Sequence, residues 1–110
     1  MKLRTPALFF ALAACLTCLA AQPAQANDPR TRGALAFSEN GCTRCHAIRH
    51  NGGTKGPDLS GVGRRRSDAQ IRTQIIEGGK QMPPFGDVLQ DSELDDLVTY
   101  LHSCRDKTKK

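Results

Sequence analysis

What limits this chain most is a shortage of material for a core. Residues 27–110 hold only 15 Leu, Ile, Val and Phe residues out of 84, about 18%. A composition that poor in large apolar side chains falls where polypeptides struggle to fold unaided. The aromatic residues in this stretch are Phe37, Phe85 and Tyr100. A domain of about 80 residues is already marginal, because a small body buries a small fraction of its surface. Either the segment stays disordered, or something other than protein fills its middle. With 110 residues in all, a large multidomain enzyme is excluded.

The apolar residues are concentrated at the start, where residues 1–26 carry no acid. Lys2 and Arg4 form a basic lead-in to an apolar run over residues 7–21. That run is short for a comfortable membrane span. Ala24-Gln25-Ala26 has the small-x-small form of a cleavage site, and polar Asn27-Asp28 follows. The expectation is a secretory signal peptide over residues 1–26, removed on export, and one domain over 27–110. A retained anchor is one alternative. Lipidation at Cys15, in Leu12-Ala13-Ala14-Cys15, is another; against it, the apolar residues 16–21 would leave a greasy stub. Residues 27–110 carry 14 basic and 11 acidic side chains, a net charge of +3. That is too mild to demand a nucleic-acid partner. Cys15 and Cys18 leave with the leader, so Cys42, Cys45 and Cys104 remain. An odd count in an exported chain is not a disulfide framework.

Three helices are legible. Asp28-Pro29 reads as a cap followed by Pro at the first helical position, with Gly41 as the stop after Asn40. Gly33 and Phe37 lie one turn apart on that helix. Ser67-Asp68-Ala69-Gln70 matches a capping box; the helix it opens carries Ile71, Ile75 and Ile76 and ends at Gly78-Gly79. The last helix starts at Asp91 or Ser92, with Leu94, Leu97, Val98 and Leu101 at i, i+3, i+4 and i+7. Cys104 continues that face, and the tail from Lys107 is expected to fray. The glycine-rich stretch 41–66 reads as loop with a short helical turn. Pro83-Pro84 bars helix and central strand from residues 81–86. No segment alternates with period two, so the class expected is all-α.

Cys42-Thr43-Arg44-Cys45-His46 has the C-x-x-C-H form of a c-type haem attachment site. Two thiols at this spacing can each add to one vinyl group of a porphyrin, and His46 then lies beneath the iron. A redox dithiol would want a βαβ context, which is missing. Zinc needs four ligands; Cys104 with His50 or His102 would complete such a set, though their spacing does not suggest it. A six-coordinate iron needs a ligand on the opposite face. Met82, the one Met after the initiator, lies 36 residues beyond His46, in a loop stiffened by Pro83-Pro84. Met is ordinarily core filler, but no helical face is available there. His50 is the rival, only four residues from His46; His102 falls on the polar side of the last helix. His/Met ligation suits a relatively high potential.

Taken together, residues 29–105 resemble a small monohaem class I cytochrome c of the bacterial periplasmic type. Gly33-x-x-x-Phe37 is similar to that family's first helix, and Leu97-x-x-Tyr100 to its last. Gly56-Pro57-Asp58-Leu59 resembles the loop below the haem, and Met82-Pro83-Pro84-Phe85 the distal loop. The resemblance implies three to four short helices wrapped around one haem c, attached through Cys42 and Cys45. It implies that the first and last helices cross at Gly33. It makes His46 and Met82 the axial ligands, with the Pro57 carbonyl accepting the His46 Nδ1–H. The haem would then supply the apolar body the chain lacks, with Leu59, Ile71, Ile75 and Phe85 as its walls. An arginine from Arg64-Arg65-Arg66, or Arg72, would meet a propionate. The implied activity is one-electron transport in the periplasm by a non-enzymatic monomer, with transient redox partners. A subunit dedicated to one dehydrogenase or oxidase, and a haem sensor in which Met82 leaves, are the other readings. Cys104 falls outside the family pattern.

Overall fold

The computed structural model describes residues 28–107; the expected leader, with Cys15, and residues 108–110 lie outside them. Helix α1, Pro29–Glu39, begins where Asp28 caps it: the carboxylate accepts the Thr31 backbone N–H at 3.2 Å. Its end comes where Gly41 turns left-handed, at φ 74°. After a 3₁₀ turn, Cys42–Arg44, two short strands pair antiparallel: β1, Ala47–Ile48, and β2, Asn51–Gly52. Two residues are too few for an alternating pattern, so this hairpin corrects the expectation of no strand without changing the class. Helix α2 is Val62–Arg65, α3 is Asp68–Glu77 and α4 is Asp91–Ser103. The Ser67/Gln70 box opens α3 with both of its reciprocal bonds in place.

Helices α1 and α4 make the main crossing. A Cβ placed on Gly33 would lie 2.1 Å from the Asp96 carbonyl oxygen, so no other residue lets the backbones approach this closely. Phe37 meets Tyr100 edge-on, ring centroids 6.0 Å apart. The Arg32 guanidinium forks onto the Asp96 carboxylate at 2.6 and 2.8 Å. Leu94, Leu97, Val98, Leu101 and Cys104 are buried along α4. Ile71 and Ile75 face this core from α3, whereas Ile76, one step around the helix, is exposed. Beyond α4 the chain is held at Asp106, whose backbone N–H donates to the Ser60 carbonyl at 2.9 Å. No helix among the described residues is long and apolar enough to cross a membrane.

Candidate functional site

The segment after α1 presents the Cys-x-x-Cys-His residues on one tight turn. The His46 backbone N–H donates to the Cys42 carbonyl at 2.9 Å. Gly56 and Gly53 donate back to the carbonyls of Cys45 and Thr43, at 2.7 and 2.8 Å, and so lay the following loop against this turn. That loop brings the Pro57 carbonyl oxygen to 2.8 Å from His46 Nδ1. A carbonyl only accepts, so Nδ1 carries the proton and Nε2 keeps its lone pair. Cys42 and Cys45 are both half-buried free thiols. Burial pushes the Cys42 thiol up.

Met82 arrives from the other direction. The chain leaves α3 and makes a tight turn in which Gly79 and Met82 exchange backbone hydrogen bonds of 2.8 and 2.9 Å. Phe85 N–H then donates to the Ile75 carbonyl at 3.0 Å, folding the proline segment back onto the helix that precedes it. His46 and Met82 thereby line one cavity, together with Cys42 and Leu59. Ile71, Ile75 and Phe85 are in its walls, as is Phe37 from α1. Cys45 stands beside the cavity on the same turn as Cys42, and Pro57 is exposed, contributing only its carbonyl.

Leu97 and Leu101, expected on the apolar face of the last helix, also line the cavity, as do Leu89 and above all Gln74, which the sequence reading did not name. The Gln74 side-chain amide donates to the Gly78 carbonyl at 2.9 Å and to Met82 Sδ at 3.9 Å. Gln74 is exposed at the edge of the cavity, one turn from Ile71, so the apolar pattern of α3 did not mark it. No arginine is among the residues lining the cavity; Arg65 reaches the Asp58 carbonyl at 3.2 Å and Arg72 pairs with Asp95 of α4. His102 is tethered to Asp68, at 2.9 Å, rather than merely solvated. Cys104 is 6% exposed within the apolar cluster that holds Phe37, and burial raises its thiol pKa. Among the described residues no three or more His, Cys, Asp or Glu side chains gather as a metal site of the zinc type.

The donors present suit a haem. One thiol, one imidazole and one thioether line a cavity whose remaining walls are almost wholly hydrocarbon, and a second thiol, Cys45, sits on the same turn as the first.

Comparison with known proteins agrees. The family model described as "Cytochrome C oxidase, cbb3-type, subunit III" matches residues 28–101. Cytochrome c-550 of Bacillus subtilis is 35% identical over 60 residues, 54% of this chain and 48% of the relative. A cytochrome c-553-like protein of Synechocystis is 39% identical over 71 residues, 64% of each chain. The chain thus matches between about half and just under two thirds of the length of these curated relatives. The crystal structure of the c-type cytochrome SorU from Sinorhizobium meliloti superposes with a TM-score of 0.61 at 23% identity. It covers 72% of this chain and 93% of that one, a likeness of fold. The family match runs from the cap of α1 almost to the end of α4, across the whole helical body, and on that ground the chain belongs to this family and is a small monohaem cytochrome c.

Proposed function

We propose that the protein is a one-electron carrier whose single haem c is attached through Cys42 and Cys45, with His46 and Met82 as axial ligands. The observation that carries this reading is the pairing of His46, its Nδ1 held by Pro57, with Met82 on one apolar cavity. The haem supplies an iron that cycles between Fe(III) and Fe(II). The chain's own residues set the conditions. The Pro57 carbonyl fixes the imidazole and raises its basicity. Met82 offers a soft neutral donor, which favours the reduced state. Leu59, Ile71, Ile75, Phe85 and the α4 leucines keep water out and the surroundings low in dielectric. Besides His46 and the Cys42 thiol, the residues lining the cavity carry no titratable group.

The same reading divides the chain into an exported leader, residues 1–26, and a cytochrome domain, residues 27–110, that works in the periplasm as a monomer. Its contacts with donor and acceptor are small and transient. The description of the matching family model names an oxidase subunit, which favours a second reading: the same domain dedicated to one membrane oxidase complex. Stable co-purification with such a complex would support that reading.

The test is an absorption spectrum of the purified holoprotein, oxidised and reduced, with and without carbon monoxide. A low-spin spectrum unmoved by carbon monoxide is expected. Met82→Ala should lower the potential and let carbon monoxide bind. An unchanged spectrum in that variant would assign the sixth position to another residue. Mass spectrometry of the holoprotein should place its first residue at Asn27.

A further inference from the structure

We propose that residues 104–106 form a strap that positions His46, acting through Asp106, Arg49 and Ser60. The inference rests on the reading of His46 as an iron ligand and adds the residues that govern its geometry.

The strap begins where α4 stops. The Cys104 carbonyl accepts the Gly63 N–H at 2.9 Å, the Arg105 guanidinium donates to the Gly63 carbonyl, and Asp106 N–H donates to the Ser60 carbonyl at 2.9 Å. The chain has made room for it. A Cβ on Gly61 would stand 2.6 Å from the Asp106 carbonyl oxygen, and one on Gly63 only 1.9 Å from that of His102. The Gly-Val-Gly sequence at 61–63 is therefore what allows the end of the chain to lie on the loop below His46.

Ser60 is the anchor. Its three polar atoms are all taken: the carbonyl by Asp106, the hydroxyl oxygen by the Arg49 N–H at 2.8 Å, and the N–H by the Asp58 carboxylate at 2.8 Å. Asp58 directly follows Pro57, whose carbonyl holds His46 Nδ1. Asp106 and Arg49 close the circuit with a forked pair, at 2.8 and 3.3 Å. Only two residues, Asp58 and Leu59, separate the anchor from the Pro57 carbonyl.

Two features argue that this circuit serves geometry more than stability. Arg49 and His50 are the tip of the β1–β2 hairpin, and both adopt left-handed backbone, φ 50° and 70°. A two-residue hairpin turn requires that conformation at both positions, and since neither residue is the Gly or Asn such turns favour, its cost must be offset by contacts around the turn. Here Arg49 is gripped at its backbone by Ser60 and at its guanidinium by Asp106. Second, the side chains of Arg49 and Asp106 are 70% and 42% exposed. An ion pair so open to water adds little to folding, yet it still fixes the position of the loop it grips. Arg49, Ser60 and Asp106 are positioning residues, since none of them lines the cavity.

The experiment uses the full holoprotein with Asp106→Asn, Ser60→Ala and Arg49→Lys. Exchange of the His46 Nδ1 proton is followed by NMR in the reduced state, beside the reduction potential and Tm. Ser60→Ala changes no charge, so it separates geometry from electrostatics. Loss of the Asp106–Arg49 fork in Asp106→Asn, or of the Arg49 N–H contact in Ser60→Ala, should raise Nδ1–H exchange by about tenfold. Both potentials should rise, because a looser Nδ1 contact makes the imidazole a poorer donor. Arg49→Lys, which keeps the charge and loses the fork, should fall between these and wild type. If Asp106→Asn or Ser60→Ala fails to mature, Arg49→Lys decides by the same measure. Exchange and potential unchanged from wild type, even with a lowered Tm, would make the strap purely structural and overturn the proposal. A wild-type holoprotein whose His46 is not bound to iron would instead overturn the ligand assignment, and the wild-type spectrum reveals that before any variant is made.

Discussion

Gly33→Ala should damage this protein although it replaces a poor helix former with the best one. Two effects oppose each other. Ala in a helix interior is favoured over Gly by about 1 kcal/mol. Against that stands the crossing of α1 and α4. The new Cβ would lie 2.1 Å from the Asp96 carbonyl oxygen and 2.6 Å from Tyr100 Cβ. A close carbon–oxygen contact needs about 3.3 Å, so α1 must retreat by about 1.2 Å from a partner made of backbone. That retreat loosens the Phe37–Tyr100 contact and the Arg32–Asp96 fork together. Overpacking of this kind costs about 1–3 kcal/mol, and more where the obstacle is backbone. Because the obstacle is backbone, the cost lies at the upper end of that range; subtracting the helix gain from about 3 kcal/mol leaves a net loss of about 2 kcal/mol, or roughly 10 °C in Tm for a domain this small. The assay is thermal and denaturant unfolding of the holoprotein by far-UV circular dichroism, with the Soret band followed in parallel. A Tm equal to or above wild type would refute the claim that backbone contact, rather than helix propensity, decides this position.

Four further outcomes are expected. Gln74→Leu removes the amide from Met82 Sδ; losing a contact of about 0.5–1 kcal/mol should lower the potential by roughly 20–40 mV, and a potential unchanged or raised would assign that amide another role. Replacing both Cys42 and Cys45 with Ser should leave the exported chain without cooperative helical structure, because 15 large apolar residues cannot close a core alone; a folded, helical apo protein would refute this. Acid should weaken the fold through Asp58 and Asp106, whose carboxyls are held below their ordinary value of 3.8, Asp58 by the Ser60 hydrogen bonds and Asp106 by Arg49. A depressed folded-state pKa means that this stabilisation is complete above that value and fades as pH falls below it; because both carboxylates are open to water the effect is small, and Asp106→Asn should flatten the decline of Tm between neutral and strongly acid pH only slightly. Cys104, buried and with its thiol pKa raised by burial, should resist thiol reagents in the native protein and label rapidly in denaturant; fast native labelling would place it at the surface.

Local signals were readable along the chain wherever their cause is local. Asp28-Pro29, the Ser67/Gln70 box and the Leu94, Leu97, Val98, Leu101 spacing each mark a helix through hydrogen bonds or contacts within one or two turns. Ile71 and Ile75 point inward because they share a face; Ile76 does not, and a list of apolar residues could not rank the three without fixing the phase of α3. Arg72 shows the other side of this limit: its partner Asp95 lies 23 positions away and is brought close only when α3 meets α4.

By itself, then, the sequence determined helices α1, α3 and α4, the caps Asp28 and Ser67 and the Cys42, Cys45, His46 motif, since each is written in adjacent residues or in a short spacing, whereas the crossing at Gly33 and the role of Met82 came from the family resemblance. Only the tertiary structure decided that His46 and Met82 border one cavity, that Gln74 reaches the Met82 sulfur, and that residues 104–106 return to grip Ser60 and Arg49. Those contacts join segments up to 57 positions apart. Their geometry follows from how closely α4 can lie against α1 and against the Gly61–Gly63 turn, a matter of excluded volume between backbones that leaves no periodic trace in the chain.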